Sequence, residues 1–220
     1  MHPLEAFELY RFYHAEEDET FALRGVSLHL AAGELVAVMG PSGSGKSTLI
    51  ACLAGLDEPS GGHVEVMGRR LTRRSEAERA KLRAMHIGVF PQTGNLFEHL
   101  TVEANLRLQM RIGGARDPDR LDRLMAQLDL AGLGKSMPAQ LSGGERARAG
   151  LAVALATDPD LLLADEPTAE VDQATESRIF DLFAARRAQG RATLVASHSW
   201  TLADHADRLL VMRDGRFVDV

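Results

Sequence analysis

Apolar residues in this chain fall into two kinds of pattern, and the contrast between them predicts its architecture. Leu35-Val36-Ala37-Val38-Met39, Ile87-Gly88-Val89-Phe90, Leu161-Leu162-Leu163-Ala164 and Ala192-Thr193-Leu194-Val195-Ala196 are short, nearly unbroken apolar runs. Runs of that kind mark strands of a parallel sheet covered on both faces. Residues 4 to 13, 22 to 30 and 63 to 68 alternate apolar with polar side chains instead, as strands with one wet face do. The acidic run Glu16-Glu17-Asp18-Glu19 between the first two cannot pack without partners and is expected to be a solvated hairpin turn.

Helical spacing fills most of the remainder. A helix is expected from Thr48 to Ala54 and another from Glu176 to Gln189, closed by Gly190. Seven basic residues from Arg69 to Arg83 are interleaved with Glu76 and Glu78, which reads as a solvated amphipathic helix rather than a nucleic-acid patch. Residues 93 to 157 are mostly helical in period, with Leu121, Leu124, Met125, Leu128 and Leu130 on one stripe and breakers at Gly113-Gly114 and Asp117-Pro118. The end of the chain is expected to be a hairpin turning at Asp214-Gly215. Strands alternating with helices predict an α/β core, and a block of helices inserted between strands predicts a helical lobe on it.

Between the strand at 35–39 and the helix after it lies Gly40-Pro41-Ser42-Gly43-Ser44-Gly45-Lys46-Ser47-Thr48. It fits G-x-x-x-x-G-K-[ST], a loop whose backbone N–H groups cradle phosphates, whose Lys reaches the terminal phosphates and whose Ser or Thr hydroxyl binds Mg²⁺. The helix that follows directs its positive end at the same place. Such a loop, in its required strand-to-helix setting, predicts that the chain binds a nucleoside triphosphate.

Composition narrows the class. The chain has 220 residues, 45% hydrophobic and 25% charged, with a formal net charge of −6. Those values suit one globular α/β unit with an insertion and argue against a sequence-independent nucleic-acid surface. The single Cys52 sits in an apolar helix, which points to a structural role and a reducing compartment. No apolar run approaches a membrane span, and no basic-then-apolar leader opens the sequence. The expectation is therefore a soluble intracellular protein with no direct membrane insertion.

In open parallel sheets ligands sit beyond the carboxyl ends of the strands. Two further strands end in residues suited to phosphate chemistry. Leu161–Ala164 runs into Asp165-Glu166, an Asp placed to hold Mg²⁺ and a Glu placed to polarise the attacking water. Thr193–Ala196 runs into Ser197-His198, which sets an imidazole within reach of a terminal phosphate. Leu141-Ser142-Gly143-Gly144-Glu145 precedes a helix expected from about Glu145 to Thr157. Its amides and hydroxyl form either a second anion site, flanking the same phosphates or serving a neighbouring subunit, or a plain N-cap.

With these pieces in register the chain resembles, over nearly its whole length, the nucleotide-binding domain of ABC transporters: Gly40 to Thr48 is similar to the Walker A motif, Leu161 to Glu166 to the Walker B motif, and Leu141 to Glu145 to the family's signature motif. The resemblance implies a P-loop NTPase core of mainly parallel sheet flanked by helices, with an N-terminal antiparallel β subdomain. It implies a core of residues 1–92 and 158–220 and an inserted helical lobe over 93–157. By the same resemblance ATP and Mg²⁺ are the cofactors. Tyr13 would stack on adenine. Ser42 to Thr48 would wrap the phosphates, and Ser47, Gln92 and Asp165 would hold the metal. Lys46, Gln92, Glu166 and His198 would carry the hydrolysis. Ser142, Gly143, Gly144, Glu145 and Asp172 would act across the interface with a second copy or a homologous cassette, so that ATP closes the pair and hydrolysis reopens it.

The partner so implied is an integral membrane permease subunit, met at the cytoplasmic face of the inner or plasma membrane. No nucleic acid is expected. Within the family the closest resemblance is to the macrolide-efflux, lipoprotein-release and cell-division ATPases, which implies export or force transmission rather than import. Three positions depart from the usual pattern: Pro91 before Gln92, Glu145-Arg146-Ala147-Arg148 after the signature glycines, and Ala169-Glu170-Val171 before Asp172. Two other readings stand beside transport: signalling through a membrane partner to cell-wall enzymes, and a soluble ATPase acting on DNA or ribosomes.

Overall fold

The structure is a computed structural model and describes residues 2–15, 18–92, 95–114, 117, 119–169 and 171–218. The expected positions Glu16, Glu17, Pro118, Glu170, Asp219 and Val220 lie outside the described residues. In chain order the elements are β1 (Leu4–Ala15), β2 (Asp18–Leu30), β3 (Leu35–Met39), α1 (Lys46–Leu53), β4 (Gly61–Val66), β5 (Arg69–Arg70), α2 (Glu76–His86) and β6 (Ile87–Phe90). They continue with α3 (Val102–Ile112), α4 (Arg120–Gln127), α5 (Gly143–Leu155), β7 (Leu161–Asp165), α6 (Gln173–Ala188), β8 (Ala192–Ser197), α7 (Trp200–Ala203), β9 (Arg208–Arg213) and β10 (Arg216–Val218).

Two sheets result. The alternating strands form an antiparallel sheet in the order β2-β1-β4-β5, and the apolar runs form a second sheet in the order β10-β9-β3-β8-β7-β6. Strands β6, β7, β8, β3 and β9 run parallel, with β10 returning antiparallel along β9. Side-chain alternation along the parallel strands separates two apolar layers. Val36, Val38, Leu161, Leu163, Leu194 and Ala196 face α1 and the antiparallel sheet. Leu35, Ala37, Leu162, Ala164 and Val195 face the cluster built by α3 to α6. Each such Leu or Val, fully buried, stabilises the fold by about 1.5–3 kcal/mol.

Helix α5 lies very close to β6. A Cβ on Gly88 would come 2.2 Å from the Ala154 carbonyl oxygen, so only glycine lets that helix and strand touch. Asn95 fastens the same contact, its Nδ2 donating to the Gly150 carbonyl at 2.6 Å.

The helix expected over Arg69–Arg83 is corrected. Met67 and Gly68 take positive φ and turn the chain back, so Arg69 and Arg70 pair with Val66 and Glu65 as β5. The helix begins only after Ser75, whose hydroxyl accepts from Glu78 N–H while the Glu78 side chain accepts from Ser75 N–H. That capping box, a stronger start signal than spacing, fixes the boundary. The acidic run also divides differently: Asp18 and Glu19 belong to β2.

Candidate functional site

Because the parallel strands share one direction, their carboxyl ends meet along one edge of the sheet. The order β3-β8-β7-β6 sets side by side the loop after β3, Ser197-His198 after β8, Asp165-Glu166 at β7 and Gln92 after β6. They line one cleft of about 1050 Å³, together with Tyr13 and Ser42 to Thr48. Thr20, Phe21, Ala22, Thr168, Ala169 and Ser199 complete its walls. Sequence reading gave none of these a role in the site, because none carries a chemically distinctive side chain at a telling spacing.

Helices α2, α3, α5 and α6 each begin on a side chain that caps them: Ser75, Thr101, Ser142 and Asp172. Helix α1 begins on Gly45 with no side-chain cap, so the N–H groups of its first turn, which no helix can satisfy internally, are left for a ligand. Gly45 is obligatory there, since it takes φ 106° and a Cβ would come 2.4 Å from the Ala22 carbonyl oxygen. Lys46 is buried and its Nζ donates to the carbonyls of Gly40 at 2.7 Å and Pro41 at 3.1 Å. An ammonium has three N–H donors, so one remains to meet a phosphate. Gly40 does not line the cleft but serves it through this bond.

Asp165 is 4% exposed and, among the described residues, its Oδ1 has no hydrogen-bond partner. Burial pushes its carboxyl above the usual range, the facing Ser47 hydroxyl draws it down, and the neighbouring Glu166 charge raises it further. An orphaned buried carboxylate oxygen beside a serine hydroxyl at the phosphate loop fits a hard cation that keeps few protein ligands. Glu166 takes φ 53°, a left-handed conformation that costs a non-glycine residue about 1–3 kcal/mol. The conformation is held by Glu166 N–H donating to the Ala196 carbonyl at 2.8 Å. Glu166 Oε2 lies 2.9 Å from His198 Nδ1 and accepts from Ser197 Oγ at 3.2 Å. Among the described residues Oε1 has no such partner, so one carboxylate oxygen is anchored and the other is left to the cleft.

A second group of expected residues lies elsewhere. Ser142, Gly143, Gly144, Glu145 and Asp172 do not line the cleft. Ser142 caps α5 by accepting from Glu145 N–H at 3.3 Å, and Glu145 Oε2 accepts from Ser142 N–H and Oγ, each at 2.8 Å. Those bonds hold the Glu145 carboxyl below its usual range. Asp172 caps α6 by accepting from Thr175 N–H at 2.8 Å, and Arg148 of α5 donates to Thr175 Oγ1 at 2.8 Å. The N-terminal turns of α5 and α6 are thereby joined into one surface distinct from the cleft.

Residues 23–169 match the family described as ABC transporter. The chain belongs to that family. The cassette is 42% identical over 204 residues to an uncharacterised ABC transporter ATP-binding protein, YbbA, of Escherichia coli strain K12, covering 91% of this chain and 90% of that one. It is 36% identical to the lipoprotein-releasing system ATP-binding protein LolD of Hyphomonas neptunium, covering 98% and 96%. Its fold superposes with a TM-score of 0.93 and 30% identity on a dimeric ATP-binding cassette, MJ0796, solved in a post-hydrolysis state bound to ADP and Pi, covering 98% and 97%. It is an ATP-binding, ATP-hydrolysing transporter subunit of α/β P-loop fold. Among the described residues no helix is long and apolar enough to cross a membrane.

Proposed function

We propose that two copies of this cassette, or one copy and a homologous cassette, close head to tail around two ATP molecules and that each completes the other's site. One observation carries this reading: the cleft that gathers Lys46, Asp165, Glu166 and His198 excludes the chain's own Ser142 to Glu145. A helix N-terminus bearing two glycines and a serine, turned away from its own phosphate site, is suited to the phosphates held by another copy.

Within one site the roles follow from chemistry. Tyr13 stacks on adenine. Ser42 to Thr48 wrap the phosphates with backbone N–H groups, and Lys46 donates to them. Ser47, Gln92 and Asp165 hold Mg²⁺, which neutralises phosphate charge when bound. Glu166, anchored through Oε2, orients the attacking water with Oε1 and accepts its proton. His198, exposed at the rim, reaches the terminal phosphate. Asp172 relates the two halves across the closed pair. The segment 93–157 acts as the lobe that moves with closure, pivoting on the 1–92 and 158–220 core.

The permease partner meets a groove between α2, α3 and α5, where Leu56 and Ile112 stay 57% and 59% exposed. Apolar residues left open in a groove suit a helix supplied by another chain. That assembly holds the cassette at the cytoplasmic face of the membrane. Similarity to the LolD protein supports a lipophilic, peptide or lipoprotein cargo, exported or moved by force transmission.

The test is complementation between two inactive variants. Lys46→Ala disables a cleft and Ser142→Ala disables the surface offered to the partner. A mixed pair contains one site with both defects and one with neither. Phosphate release measured on the mixture should recover to a fraction of wild type that neither variant reaches alone. If no mixing ratio restores turnover while each variant still associates, the shared-site reading fails.

A further inference from the structure

The ring of Tyr13 is gripped by two residues that belong to no motif. Its hydroxyl donates to Asp57 Oδ2 at 2.6 Å. Arg11 Nε donates to the same oxygen at 2.8 Å, and Arg11 Nη2 pairs with Asp57 Oδ1 at 2.7 Å. The Arg11 guanidinium carbon stands 4.4 Å from the centroid of the Tyr13 ring. Asp57 is itself tied to the phosphate-loop helix, its backbone N–H donating to Ala51 O at 3.1 Å. The Tyr13 hydroxyl also faces Thr48, in the first turn of that helix. The aromatic ring on β1 is thus referenced to α1, whose N-terminus forms the phosphate cradle.

We propose that Asp57 and Arg11 are positioning residues for the nucleotide base. Asp57 fixes the hydroxyl end of Tyr13, and Arg11 covers one face of the ring by a cation–π contact. The opposite face is left to a purine at a set distance from the phosphates. An exposed tyrosine free to change rotamer would lose that freedom on binding, whereas a ring already bonded at its tip and covered on one face loses little. The charge-assisted pairing of Asp57 with both partners makes the arrangement stiffer than a lone hydrogen bond. This inference rests on the proposed contact between Tyr13 and the base.

The experiment compares two ligands by calorimetric titration in the presence of magnesium: ATP, and inorganic tripolyphosphate, which carries the charged chain without a base. Asp57→Asn should weaken ATP binding by about 3–10-fold, the range expected for the net worth of one ordinary hydrogen bond, and leave tripolyphosphate binding unchanged. Arg11→Met should act in the same direction. Tyr13→Phe, which keeps the ring and loses the anchor, should match Asp57→Asn, and the double variant should be no worse than either single one. Wild-type ATP affinity in both Asp57→Asn and Arg11→Met, with Tyr13→Ala defective, would overturn the clamp while sparing the base contact. Equal loss for both ligands would also overturn it, since the pair would then be supporting the loop. An unchanged ratio in Tyr13→Ala would instead sink the base contact itself.

Discussion

At the scale of single residues, the cleft is a place where the fold is made less stable so that it can bind. Asp165 shows the sign of the effect. Its folded carboxyl lies above the ordinary range because burial opposes its charge, so the folded chain binds that proton more tightly than the unfolded chain does. The stabilising contribution is present below the unfolded pKa and is lost as pH rises through the folded one, leaving a cost at neutral pH. Asp165→Asn should therefore raise the melting temperature of the nucleotide-free cassette, each kcal/mol of relief being worth about 2–4 °C at this size. Added Mg²⁺ should raise the melting temperature of wild type and not that of the variant. Thermal scans with and without the cation decide it, and a variant that melts lower than wild type would contradict the electrostatic account.

Helices α2, α3, α5 and α6 are held at their starts by caps, and two of those caps lie on the surface proposed to face a partner cassette. The carboxyls of Glu145 and Asp172 are both drawn down, the first chiefly by the Ser142 N–H and the second chiefly by the Thr175 N–H. Depressed carboxylates contribute stability above their unfolded pKa and lose it as pH falls through the folded value. Loss should accordingly set in on the acid side, below about pH 4, the ordinary carboxylate region. Glu145→Gln keeps the reciprocal capping bonds without a titrating group, so its melting temperature should fall less steeply between pH 5 and pH 3. Circular dichroism melts across that range provide the measurement, and parallel curves for wild type and variant would show that the cap does not titrate. The same element scale explains the misplaced helix at 69–83, where seven basic residues gave a helical reading but the turn at Met67-Gly68 and the Ser75 cap divided the stretch into strand and helix.

Across the whole molecule, the two ends of the parallel sheet do different work. At the end opposite the cleft Arg186 is buried, and burial pushes its guanidinium down to about 10. It donates to the carbonyls of Pro159 and Ala192, both at 3.2 Å, and to Thr193 Oγ1 at 3.3 Å. One side chain thereby ties α6 to the beginnings of β7 and β8. Around it Arg191 pairs with Asp158 and Asp160, Arg120 with Asp158, and His86 Nδ1 lies 2.8 Å from Asp160. Arg186→Ala should cost about 2–4 kcal/mol, because it strands buried carbonyls and opens a cavity. Urea unfolding gives that number. ATP affinity of the folded protein should stay at the wild-type value, since the change lies at the far end of the strands; a matching loss of affinity would mean that the two ends are coupled.

The amino-acid order alone determined most of what rests on neighbours in the chain, the stretch at 69–83 excepted. The apolar runs of β3, β6, β7 and β8, the glycine-rich loop between β3 and α1, the carboxylates closing β7 and the hairpin at Asp214-Gly215 were all legible, because a strand's burial and a turn's conformation are written in consecutive residues. Only the folded chain decided which distant side chains meet. Asp57 finds Tyr13 across 44 positions and Glu166 finds His198 across 32, and neither separation leaves a trace in local composition. Whether Ser142 to Glu145 lie inside the chain's own cleft was likewise beyond reach of spacing, since that depends on how α5 is seated against β6. Local pattern sets what each segment becomes; long-range packing sets what each residue touches.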